Sequence, residues 1–169
     1  MKKRDKIFRM NTLKRLIFRI FVGKTIDMEQ VKLEWKGGMQ FDAQVGEHTI
    51  TLDGPEELGG MNIGARPKPL LLVALAGCTG MDIASLARKM RVEFERIEIE
   101  ADAEKSDEIP VVYTAMTLKY RFEGKGIDPS KPLKMVSLSQ ERYCGVADML
   151  RKVAPIAFEV YLNGERIDR

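Results

Sequence analysis

Residues that hold metals or stitch small secreted domains together are scarce in this chain, which has two cysteines and one histidine in 169 residues. A disulfide scaffold is thereby excluded, and Cys78 and Cys144 are too far apart in sequence for the paired spacing of a zinc site. His48, the single imidazole, follows Glu47 in an expected turn and reads as an exposed loop residue, so no metal is expected. The body of the chain also lacks an excess of positive charge. Residues 1–24 hold nine Lys or Arg against one Asp, so the net charge of +3 leaves the remainder at −5. That balance, with no RNA-binding motif, argues against a nucleic-acid partner. A clean secretory signal is missing too, because Arg19 interrupts the apolar run LIFRIFVG and no small-residue cleavage site follows. A cytoplasmic location is the expectation.

What is present falls into a short tail and one folded unit. Leu13, Leu16, Ile17, Ile20 and Phe21 share a helical face, which would permit a basic amphipathic helix at a membrane surface. A loosely ordered extension over residues 1–27 accounts for the same pattern, and no membrane contact is expected of it. Met28 directly precedes the first strand pattern, so residues 28–169 are taken as the domain, and a chain starting at Met28 is expected to fold alike.

From Val31 the period is two. Val31, Leu33 and Trp35, then Met39, Phe41, Ala43 and Val45, then His48, Ile50 and Leu52 predict a three-stranded antiparallel meander. Residues 53–69 are loop chemistry, with four glycines and three prolines. The stretch from Pro69 to Arg91, PLLLVALAGCTGMDIASLARKMR, predicts a long helix whose first half is apolar on every side and therefore buried. Thr79, Asp82, Ser85, Arg88 and Lys89 recur at threes and fours, marking one wetter face. Cys78 lies between Gly77 and Gly80. Glycine costs about 1 kcal/mol in a helix, so the pair implies either close packing or access to the thiol.

After the helix, Ile97–Ala103 and Val112–Phe122 predict a hairpin. Asp128 and Pro129 open a short helix, Ser139 caps a second one that Pro155 stops, and residues 156–162 close with a strand before Asn163-Gly164. Strands and helices are segregated, which indicates an α+β fold. A helix this apolar needs more cover than one short chain supplies, so a homodimer is expected. Cys144 lies in the first turns of the second short helix, where the helix dipole favours a thiolate. Arg142 and Arg66 are possible cations for a thiolate, or ordinary surface ion-pair partners.

The segments LLLVALAGCTGMDIASLARK and LSQERYCGVADMLRKVAPI together resemble the two cysteine motifs of the OsmC/Ohr family, and the resemblance spans roughly Val31 to Leu162. It implies an intertwined α+β homodimer with antiparallel sheets around a long buried central helix. It also implies sites at the dimer interface where two cysteines reduce hydroperoxides, preferably organic ones, in oxidative-stress defence. Cys78 matches the first motif; Glu141, Tyr143 and Cys144 match the second. The acidic residue that established peroxidases carry near the start of the first helix is replaced here by Pro67-Lys68-Pro69. The arginine it would hold over the sulfur has no counterpart beyond the neighbouring Arg66, so the chain resembles the branch lacking that pair, with a slower first step expected. The implied chemistry is attack by Cys78 on the peroxide, condensation with Cys144 and reduction by a dithiol, without metal, flavin or haem. The alternative is a non-catalytic protein holding a small apolar ligand in the interface cleft, with both cysteines as packing residues.

Overall fold

The structure, a computed structural model, describes residues 28–168. The expectations for residues 1–27 lie outside it. Three short strands come first, β1 (Val31–Gly37), β2 (Gln40–Val45) and β3 (His48–Leu52), paired antiparallel in the order β1-β2-β3. The register sets Leu33 opposite Ala43 and Ala43 opposite Ile50, so the alternating apolar residues share one face. Little of this chain covers that face: Leu33 is 56% and Trp35 64% exposed. His48 is exposed at the start of β3.

The loop that follows is folded on Asp53, which is buried and accepts hydrogen bonds from the backbone N–H groups of Gly54 (2.7 Å), Met61 (2.8 Å) and Ile63 (3.2 Å). Burial alone would raise its pKa, but these three donors hold the carboxyl below its usual value. The loop delivers the chain to helix α1 (Pro67–Met90), which begins two residues earlier than periodicity suggests because Pro67 suits a first helical turn. It ends at Arg91, whose left-handed backbone places its N–H on the carbonyls of Ala87 and Arg88.

A four-stranded sheet packs against α1, in the order β4 (Arg96–Lys105), β5 (Tyr113–Glu123), β6 (Ile156–Leu162) and β7 (Glu165–Arg166). The expected hairpin is β4-β5. β6 runs parallel to β5, which corrects the expectation of purely antiparallel sheets. The reason is the connection: two helices, α2 (Ser130–Leu138) and α3 (Gly145–Arg151), separate these strands, and such a crossover suits parallel pairing. β7 went unforeseen. It is a two-residue strand returned by Asn163 and Gly164, both at positive φ as a tight hairpin turn requires.

Leu75, Ile83 and Leu86 on one stripe of α1 belong to a single core with Leu118, Tyr120 and Phe122 of β5, Met135 and Val136 of α2 and Val160 of β6. Each such side chain contributes about 1.5–3 kcal/mol on burial. The other face of the β4-β5 hairpin is wet, with Lys119 on Asp102 at 2.7 Å and Arg121 on Glu100 at 3.2 Å. The expectation that the first half of α1 is buried all round is corrected within the single chain, since Leu71 is 46% and Val73 62% exposed. The sheet and short helices cover one side of the helix and leave the other side bare.

Candidate functional site

Helix α2 does not pass smoothly into α3. Residues 139–143 form one wide π turn, closed by the Cys144 N–H on the Ser139 carbonyl at 2.9 Å. The extra residue in the turn directs both Ser139 and Gln140 into the core, and both are buried. Ser139 is therefore not the helix cap the sequence suggests. Cys144 is, with extended backbone and its Sγ accepting from the Ala147 N–H at 3.3 Å. It lies just outside α3, not in its first turns, and is buried.

Cys78 is half-buried near the middle of α1. The fold brings it to Cys144: the two Sγ atoms and a carboxylate oxygen of Asp82 all lie within 4.8 Å of one another. The helical step of four explains Asp82, which sits one turn beyond Cys78 on the same face. The flanking glycines differ in their surroundings. A Cβ on Gly80 would meet Ile99 Cδ1 at 3.1 Å, whereas one on Gly77 would meet nothing within 4 Å. Gly80 is a packing position, whereas the space beside Gly77 is open within this chain.

Beneath the sulfurs runs a buried polar chain. Ser139 donates to Asp82 Oδ2 at 2.8 Å and pairs with Thr79 Oγ1 at 2.8 Å. Thr79 pairs with the Tyr120 hydroxyl at 2.9 Å, Gln140 Nε2 donates to that hydroxyl at 2.8 Å, and Arg151 donates to Gln140 Oε1 at 3.1 Å. Proton counting gives the direction. The single Ser139 hydroxyl hydrogen goes to the carboxylate, so Ser139 must accept from Thr79, and Thr79 must accept from Tyr120. Every donor points the same way, from the Arg151 guanidinium to Asp82. Among the described residues no buried side-chain nitrogen or oxygen lacks a partner.

The electrostatics follow from burial. The Cys144 thiol is pushed up to about 11, first by desolvation and further by the adjacent Cys78 thiol and the Asp82 charge, against the lowering effect of the Ala147 N–H. The helix N-terminus expected to favour a thiolate does act, but desolvation outweighs it. Tyr120 is pushed up to about 12 by burial, opposed by its bonds to Thr79 and Gln140, and so stays a neutral donor.

The supporting residues named from sequence lie elsewhere. Arg66 caps no thiolate within this chain: it donates to Gly64 O (3.0 Å) and Asn62 Oδ1 (2.7 Å), and twelve residues of helix rise put it about 18 Å from Cys78. Lys68, standing where an acid is usual, donates to the Val111 carbonyl at 2.5 Å. Glu141, Arg142 and Tyr143 are exposed on the rim of a depression of about 290 Å³ that has Cys144, Asp148 and Arg151 in its walls. Arg142 lies over the Tyr143 ring at 5.7 Å and takes no part in the polar chain. The residues sequence reasoning missed are Asp82 and Thr79, read there as a wetter face, with Tyr120, Ser139, Gln140 and Arg151. A polar residue one turn from a cysteine in an apolar helix was the available signal for Asp82. The two sulfurs and one oxygen are also close enough to share a soft divalent cation, which the 66-residue separation did not suggest.

Comparison with known proteins agrees with this architecture. Residues 59–159 match the family model described as OsmC-like protein. Protein YhfA of Escherichia coli K12 is 29% identical over 131 residues, which are 75% of this chain and 92% of YhfA. A hypothetical protein from Aquifex aeolicus VF5 superposes with a TM-score of 0.69 at 27% identity, covering 82% of this chain and 99% of that one. The organic hydroperoxide resistance protein OsmC from Legionella pneumophila shares the fold, with a TM-score of 0.60 at 17% identity over 82% of this chain and 99% of its own.

Proposed function

The chain belongs to the OsmC-like family, and from that membership we propose that it reduces organic hydroperoxides through Cys78 and Cys144 in oxidative-stress defence. The observation that carries this reading is the meeting of two sulfurs from distant parts of the sequence, within 4.8 Å, one half-buried and the other buried. A disulfide needs about 2.05 Å between sulfurs, so rotation about the side-chain bonds and a small backbone shift must close the remaining distance.

In the first step Cys78 thiolate attacks the outer peroxide oxygen. An S–O bond forms, the O–O bond breaks, and the departing alkoxide takes a proton to leave as the alcohol. Cys78 becomes a sulfenic acid. Cys144, a protonated thiol until then, attacks that sulfur; the S–S bond forms and water leaves. A dithiol reductant returns both thiols by exchange and is itself oxidised to a disulfide. The free thiols suit a cytoplasmic location. A second copy of the chain completes the fold, since the apolar faces of α1 and the β1–β3 sheet require cover.

The test is stoichiometric cumene hydroperoxide followed by peptide mass spectrometry. Cys78 and Cys144 should be found linked, with the chain lighter by about two hydrogens. Cys144→Ser should stop at sulfenic acid on Cys78, and Cys78→Ser should consume no peroxide. Equal peroxide consumption by wild type and Cys78→Ser would overturn the enzyme and favour a non-catalytic protein that holds an apolar ligand.

A further inference from the structure

We propose that Asp82 is the proton relay of the resolving step, taking the proton from Cys144 Sγ as it attacks oxidised Cys78 and handing it to the departing hydroxide. The proposal rests on the two-cysteine reading above. It starts from a chemical difficulty. Cys144 is 3% exposed, so its thiol has little bulk water to take the proton. A resolving thiol must nonetheless lose that proton within the cleft, where the nearest acceptor counts most.

Asp82 is that acceptor. One of its carboxylate oxygens lies within 4.8 Å of both sulfurs, beside the thiol that must lose a proton and beside the sulfur from which hydroxide departs. One oxygen is held by Ser139 at 2.8 Å. The chain behind it, Arg151 to Gln140 to Tyr120 to Thr79 to Ser139, donates at every link towards the carboxylate. Such a one-way chain holds the carboxylate in place beside the two sulfurs. The step balances without outside reagents: the S–S bond forms as the S–O bond breaks, and the Cys144 proton passes through Asp82 to hydroxide, giving water.

The reaction with 4,4′-dithiodipyridine tests this without any peroxide. Cys78 releases one thiopyridone on forming the mixed disulfide, and attack by Cys144 on that sulfur releases the second, so the two phases are separately visible. In Asp82→Asn the second phase should slow by roughly a hundredfold relative to the first. Ser139→Ala, which withdraws the aiming hydrogen bond but keeps the carboxylate, should slow the second phase by a smaller factor and serves if the first variant folds poorly. A role as mere charge predicts the opposite sign, because removing a negative charge beside Cys144 eases its ionisation. A second phase that is unchanged or faster in both variants therefore overturns the relay. Cumene hydroperoxide run in parallel separates the two claims: wild type inert to peroxide, with the thiopyridone phases as expected, removes the peroxidase reading and leaves the proton transfer from Cys144 to Asp82 standing.

Discussion

Thr79 has one hydroxyl proton and two buried neighbours that depend on its oxygen. Replacement by valine keeps the shape but leaves the Tyr120 hydroxyl without an acceptor and Ser139 without a donor. An unsatisfied buried polar group costs about 1–3 kcal/mol, so Thr79→Val should lose roughly 2–5 kcal/mol in urea denaturation. Thr79→Ser should restore most of it. A loss well under 1 kcal/mol for valine would mean that water or rotation repairs the chain. The same variant bears on chemistry, because with Ser139 free to turn, the hold on Asp82 is loosened. Arg151, at the far end of the chain, can be altered with a smaller effect, since its partner Gln140 keeps the bond to Tyr120.

Helix α1 carries the burden at the scale of elements, and Gly77 exposes the compromise within it. Gly77→Ala adds a methyl group that meets nothing within 4 Å in this chain. Helix propensity alone then adds about 1 kcal/mol of stability, while the new methyl narrows the approach to Cys78. Thermal melting should rise and thiol oxidation by cumene hydroperoxide should slow. A fall in stability would show that another backbone, not substrate, occupies that space. Much of the architecture could be read from residue periodicity: the meander, the long helix and the β4-β5 hairpin follow directly from spacing of two or near four. The direction of β6 could not, because Ile156–Leu162 has the same alternation whether it pairs parallel or antiparallel. Nor could the π turn, since SQERY has nothing in its composition that forbids ordinary helix. The site divides in the same way. Cys78 and Cys144 stand out through their motifs, but Thr79 and Asp82 look like a solvent face until Tyr120 and Ser139 arrive opposite them from positions 41 and 57 residues away.

For the whole molecule the decisive observation is apolar surface. Val73 and Met81 on α1 and Leu33 and Trp35 on β1 are all more than half exposed in a single chain. Patches of this kind on a soluble protein are normally covered. With a second copy as the cover, the urea midpoint should rise with protein concentration, and sedimentation should show dimer at micromolar concentration. A compact monomer there would refute the arrangement. The β1–β3 sheet adds something that equilibrium measurements do not see. Its strands pack chiefly on one another, not on the body of their own chain, so a sheet seated on a partner is held by chain that must be pulled free before the partners can part. Subunits would then keep the company in which they folded: when tagged and untagged preparations are mixed, hybrids should form only as fast as the protein unfolds.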